Sequence, residues 1–210
     1  MTPSCRLYVD NAATSFPKPS AVHEAMTHYA KELGASPGRG AYAEAREAGR
    51  LMQECRERIN TLIHGEDPNH IVFTLNTTDA LNLAIRGAVE PGDHLITTEF
   101  DHNSVLRPFN ELVSRFDVEQ TRVACDPQTG LADPADIRAA IRPNTRLIAM
   151  VHGSNVTGSV QMVEHIGPIA REHDVLFLVD AAQTVGHMPI DVQRMCIDLL
   201  AFFFFKQKTA

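Results

Sequence analysis

Two periodicities alternate along the chain. The stretch "PSAVHEAMTHYAKELG" sets Val22, Met26, Tyr29 and Leu33 at helical spacing and ends on Gly34, a residue suited to stopping a helix. After the glycine-proline loop "ASPGRGAY", Leu51, Met52, Cys55, Ile59, Leu62 and Ile63 mark a longer helix running to Gly65. Then the period changes. "HIVFT", "HLITT", "RLIAMVH", "VLFLVD" and "IDLLAF" are short, unbroken apolar runs, the pattern of strands buried on both faces of a parallel sheet. Polar and helical stretches separate them; in "DPADIRAAI", Asp133 is placed to cap and Pro134 to occupy the first turn. Strands alternating with helices predict an α/β fold with a mostly parallel, doubly wound sheet flanked by helices. The last run breaks the pattern: "IDLLAF" is a strand through Phe202, yet Phe203, Phe204 and Phe205 follow where Gly, Ser, Asn or Asp would turn the chain.

Composition narrows the function classes. At 210 residues, 44% hydrophobic and 21% charged, the chain is long and apolar enough for a sizeable core. A net charge of −7 with scattered Lys and Arg gives no footprint for nucleic acid. No apolar run approaches the ~18 residues that a membrane span needs. Cys5, Cys55, Cys125 and Cys196 stand apart without a C-x-x-C pair, and the ten histidines form no ligand motif. Reduced thiols in a cytoplasm, no disulfide framework and no metal centre are the expectations. The amino-terminal residues lack a signal-peptide pattern, which points the same way.

In open α/β sheets ligands collect beyond the carboxyl ends of the strands, so the residues after each run are the candidates. Thr77 and Thr78 open a helix whose free N–H groups could hold a phosphate, or Asn76 or Thr77 could simply cap it. His102 follows "HLITT" at a strand-to-helix turn, where capping and ligand contact are both open. Asn155 lies in "GSNVTG", a sequence that also makes an ordinary turn. The sharpest segment is "VLFLVDAAQTVGH". Asp180 ends a buried strand and is followed by two alanines and Gln183, so its carboxylate needs a partner. A helix cap is one answer; a cationic cofactor ring is the other. No G-x-G-x-x-G, P-loop or G-x-S-x-G motif is present.

Five segments in order, "YVDNAATSFPKP", "SPGRGAY", "TEFDHNSVLRP", "SNVTG" and "VDAAQTVGH", resemble the class V aminotransferase-fold enzymes, specifically the cysteine desulfurases and selenocysteine lyases. The resemblance implies a fold-type I large domain that binds pyridoxal 5'-phosphate, with the small carboxyl-terminal domain missing. It implies that residues 1–202 form that domain, incomplete; 203–210 depart from the family's turn and read as an atypical, foreign tail, so a truncated chain inactive as written is the expectation. It also implies roles: His102 stacked on the pyridoxal ring, Asp180 on the pyridinium nitrogen, Asn155 and Gln183 on the phenolic oxygen, Thr77 and Thr78 on the phosphate. Lys206 falls in register with the lysine that holds the cofactor as a Schiff base. Three phenylalanines stand where the family has a hydroxyl residue, glycine and histidine. The implied activity is conversion of L-cysteine to L-alanine with a persulfide left on a cysteine that none of the four here matches. A homodimer and a sulfur-acceptor protein are the implied partners. Another class V enzyme (aminotransferase, selenocysteine lyase or epimerase) and a non-catalytic remnant that binds cofactor or partner proteins are the alternatives.

Overall fold

Four of the five apolar runs become strands of one parallel sheet in the computed structural model, which describes residues 7–38 and 40–203. The described residues divide into two units: 7–38, 40–61 and 67–71 form one, and 62–66 with 72–203 the other. Among the described residues no helix is long and apolar enough to cross a membrane.

The first unit holds α1 (Ser20–His28), which runs on into a π-helical turn at Tyr29–Leu33, and most of α2 (Ala43–Leu62). The stop at Gly34 is as predicted: it takes a left-handed conformation with φ of 55° and donates to Tyr29 O. The apolar face predicted for α1 is not buried, since Met26 and Tyr29 are exposed. In α2 the buried positions are Ala45, Ala48 and Ile59.

The second unit contains α3 (Thr77–Ala88), β1 (His94–Thr98), α4 (Asn103–Arg115), β2 (Glu119–Val123), α5 (Pro134–Ala140), β3 (Thr145–Val151), α6 (Val163–Glu172), β4 (Leu176–Asp180) and β5 (Leu199–Ala201). The strand order is β2-β1-β3-β4-β5, and every ladder is parallel. Asp133 caps α5 through the Ala135 N–H as expected. Alternation along the strands sorts the core onto two faces. Leu95, Leu147, Ala149 and Leu178 meet Leu81 and Ile85 of α3 and Val105 and Phe109 of α4. Ile96, Ile148, Met150, Phe177 and Val179 meet Ile137 of α5 and Val163 and Ile166 of α6. Helices on both faces of a parallel sheet make the fold doubly wound, and the winding reverses between β1 and β3.

Two strands differ from expectation. β2, "EQTRV", lies at the sheet edge with only Val123 of its five residues buried, so it carries no apolar run to read. "HIVFT" joins no ladder: His70 ends a 3-10 turn, and Val72 and Phe73 lie exposed instead of covered by sheet neighbours. Residues 204–210, which hold Lys206 and most of the atypical tail, lie outside the described residues.

Candidate functional site

The carboxyl edge of the sheet gathers most of the predicted residues. Asn76 caps α3 by accepting from the Asp79 N–H at 2.8 Å, so Thr77 and Thr78 are the first two helical residues. Thr78 Oγ1 shares a hydrogen bond of 2.8 Å with Ser104 Oγ. Ser104 Oγ in turn lies 2.8 Å from His102 Nδ1, which also accepts the Ser104 N–H at 3.2 Å. His102 is therefore the N-cap of α4, as its position at the strand-to-helix turn allowed. Because Nδ1 accepts from a backbone N–H, a neutral ring carries its proton on Nε2. This chain of hydroxyls and imidazole opens on a cleft of about 460 Å³ between α3 and α4, lined also by Arg107 and by the Arg86–Glu111 pair.

Asp180, at the end of β4, is buried with 4% exposure, and its Oδ1 accepts the Ala182 N–H at 3.0 Å. It does not line the cleft. The alternation of β4, with Leu178 on the α3–α4 side and Val179 on the other, assigns Asp180 to the same face as Thr78 and His102. The half-buried Gln183 follows in the same turn. Asn155 is exposed near the tip of a loop closed by the Gly153–Val160 bridge, and the Ser154 hydroxyl accepts from Val156 N and Thr157 N.

Several residues at this edge had no sequence signal. His152 is buried where β3 ends, and its Nδ1 lies 2.9 Å from Thr184 Oγ1, bracing the Asn155 loop against the Asp180–Gln183 turn. Burial pushes the His152 imidazole below its ordinary value, against a smaller opposing influence of Glu164. Gly153 makes the close approach possible: a Cβ there would sit 2.6 Å from Thr184 Cγ2. Asp101 is buried beside His102, and Ser104 joins Thr78 to His102. The cysteines described here are Cys55, exposed, Cys196, half-buried, and Cys125, buried with its thiol pushed up by desolvation. A raised thiol is a poor nucleophile, and Cys196 lies only partly covered.

Two hydroxyls, an arginine and a helix start are the donor set a phosphate monoester takes, and a buried carboxylate on the same face suits a protonated ring nitrogen. The residues therefore fit pyridoxal phosphate.

The family Aminotransferase class-V matches residues 7–206. A probable cysteine desulfurase of Methanothermobacter thermautotrophicus is 40% identical over 198 residues, 93% of this chain and 48% of the relative. Among solved structures, an apo cysteine desulfurase from Thermococcus onnurineus superposes with a TM-score of 0.86 at 34% identity, covering 93% of this chain and 49% of the other. SspA in complex with cysteine superposes with a TM-score of 0.85 at 36% identity, covering 95% and 57%. The chain spans about half the length of these relatives. Enzymes of this family depend on pyridoxal phosphate. With the family matched over residues 7–206 and the α/β fold shared with cysteine desulfurases, this chain belongs to the class-V aminotransferase family.

Proposed function

We propose that the chain is the cofactor-binding part of a pyridoxal-phosphate-dependent cysteine desulfurase that acts on L-cysteine in the cytoplasm, as a homodimer, and hands sulfur to an acceptor protein. Residues 1–202 are the large domain in this proposal, and 203–210 an atypical tail. The observation that carries it is the linked trio Thr78–Ser104–His102 at the carboxyl edge of the sheet, on the face that also holds Asp180. Support for the substrate class comes from likeness to cysteine desulfurases and to a structure with cysteine.

Each residue has a task in this proposal. Thr77 and Thr78 bind the phosphate at the start of α3, and His102 stacks on the ring. Asp180 keeps the ring nitrogen protonated, with the Ala182 N–H fixing its orientation. Asn155 and Gln183 orient the ring through its phenolic oxygen, and Lys206 supplies the anchoring amine. When bound, the cofactor supplies an electron sink for bonds at the amino acid's Cα. The persulfide-forming thiolate is none of the described cysteines.

A non-catalytic cofactor-binding role is favoured by one feature: Phe203, Phe204 and Phe205 stand where the resemblance expects phosphate and turn residues. Aminotransferase, selenocysteine lyase or epimerase activity uses the same cofactor residues and separates on substrate. Borohydride reduction of the purified chain with pyridoxal phosphate, followed by peptide mapping, tests the proposal. Stoichiometric label on Lys206 is the expected result. Label scattered over surface lysines, or no saturable binding, would overturn it.

A further inference from the structure

We propose that Asp101 is a positioning residue whose carboxylate clips the unpaired ends of β1 and β3 together and so fixes the turn that holds His102 in the cleft. The ladder between these strands runs only as far as Ile96 and Ile148. Beyond that pair no ladder pairing joins the two strands, at the point where the winding of the sheet reverses and where open α/β sheets form their binding crevices. Asp101 bridges the gap. Its Oδ2 accepts from Thr97 Oγ1 at 2.7 Å, Thr98 N at 2.7 Å and Thr98 Oγ1 at 2.8 Å, all at the end of β1. Its Oδ1 accepts from the Val151 N–H, at the end of β3, fifty residues away in sequence.

His102 is the next residue, so the clip fixes the backbone on one side of it while Ser104 holds its ring from the other. The arrangement is costly for a purely structural tie. Asp101 is 5% exposed and, among the described residues, has no ion-pair partner. Burial pushes its carboxyl up to about 6, against the pull of its hydrogen bonds. A buried charge without a counter-ion at the carboxyl edge of a sheet is the kind of local expense that functional sites carry.

The test is nitrogen-15 NMR of the histidine rings in the full chain, with His102 assigned from Asp101-containing protein by His102→Gln. In the wild type the His102 nitrogens should show one fixed tautomer, protonated at Nε2. Asp101→Asn retains at most one oxygen acceptor where the carboxylate has two, so either the β1 donors or the Val151 N–H face an amide. His102 should then show averaged shifts of both tautomers. Thr145→Val, which removes a buried hydrogen bond to His94 at the other end of the same strands, controls for lost stability and should leave His102 unchanged. If Asp101→Asn does not fold, Thr97→Val removes one Oδ2 donor and should give partial averaging.

Unchanged His102 shifts in the Asp101→Asn variant, or in Thr97→Val if that is the variant read, overturn the proposal. So does equal averaging in Thr145→Val. A consequence for the cofactor rests on the function proposed above: Asp101→Asn should weaken pyridoxal phosphate binding roughly tenfold. Failure of the wild type to bind the cofactor would defeat that function and leave the NMR result standing.

Discussion

Replacing Gly153 by alanine tests whether the loop bearing Asn155 and the turn bearing Gln183 are held together by a rigid brace. The added Cβ would lie 2.6 Å from Thr184 Cγ2 and 3.6 Å from Gln183 Cβ. Ordinary carbon contacts are about 3.5–4.0 Å, so the first is about 1 Å too close. Thr184 cannot give way freely: it is 4% exposed, and its hydroxyl holds His152 Nδ1 at 2.9 Å. Rotating it leaves a buried ring nitrogen without its partner, at a cost of about 1–3 kcal/mol. Moving the backbone instead is overpacking, also about 1–3 kcal/mol. Loss of glycine's freedom in the unfolded chain returns about 0.4–1 kcal/mol. Net destabilisation of about 1.3 kcal/mol, and at most about 2.6 kcal/mol, is expected. Gly87 in α3 is the internal control, because a Cβ there meets nothing within 4 Å. Gly87→Ala should stabilise by about 0.5–1 kcal/mol. Urea unfolding followed by far-ultraviolet circular dichroism measures both, with an unchanged slope confirming that stability alone has moved. Adding Thr184→Ser to Gly153→Ala removes the clashing methyl and keeps the hydroxyl, so the double variant should recover most of the loss. Full stability in Gly153→Ala, or no recovery in the double variant, would refute the brace.

The remaining predictions concern charge at the same edge. Asp180→Asn keeps an acceptor for the Ala182 N–H, so the unfolding midpoint should hardly move. It removes the charge proposed to face the ring, and pyridoxal phosphate affinity should fall about ten- to a hundredfold; undiminished affinity in an absorbance titration would sink the pairing. The two buried titratable groups should tilt stability in opposite directions with pH. Asp101, faced by Thr97, Thr98, Val151 N–H and the Cys125 thiol, is raised from 3.8 to about 6. Its contribution is full below the unfolded value and lost as pH rises through 6, by about 3 kcal/mol at most. His152, faced by Thr184 and Glu164, is lowered from 6.5, so its contribution is full above 6.5 and lost as pH falls. Urea midpoints at pH 4.5 and 7.5 should show a smaller alkaline loss in Asp101→Asn and a smaller acid loss in His152→Gln, and unchanged slopes in both would refute the assignment.

Which parts of the molecule could be read in advance follows from where each residue's partners lie. His94–Thr98, Thr145–Val151 and Leu176–Asp180 are buried by neighbours on both sides, so apolarity is written into each run and the strands were legible. Strand β2 has a neighbour on one side only, and its five residues "EQTRV" record that half-solvated position and no more. "HIVFT" shows the converse: its composition states that the segment suits a buried strand, but pairing depends on an adjacent strand that the described residues do not offer. The same division runs through the site. Thr78 and His102 could be picked out because helix starts and strand ends are local features. What holds them is not local: Thr78 reaches Ser104 across 26 residues, His152 reaches Thr184 across 32, and Asp101 reaches Val151 across 50. A hydroxyl or carboxylate in sequence has many possible partners, and the reversal of winding between β1 and β3 selects among them. The first layer of a site on such a sheet can thus be read from the ends of strands, whereas the residues that aim it become visible only once the strand order is known.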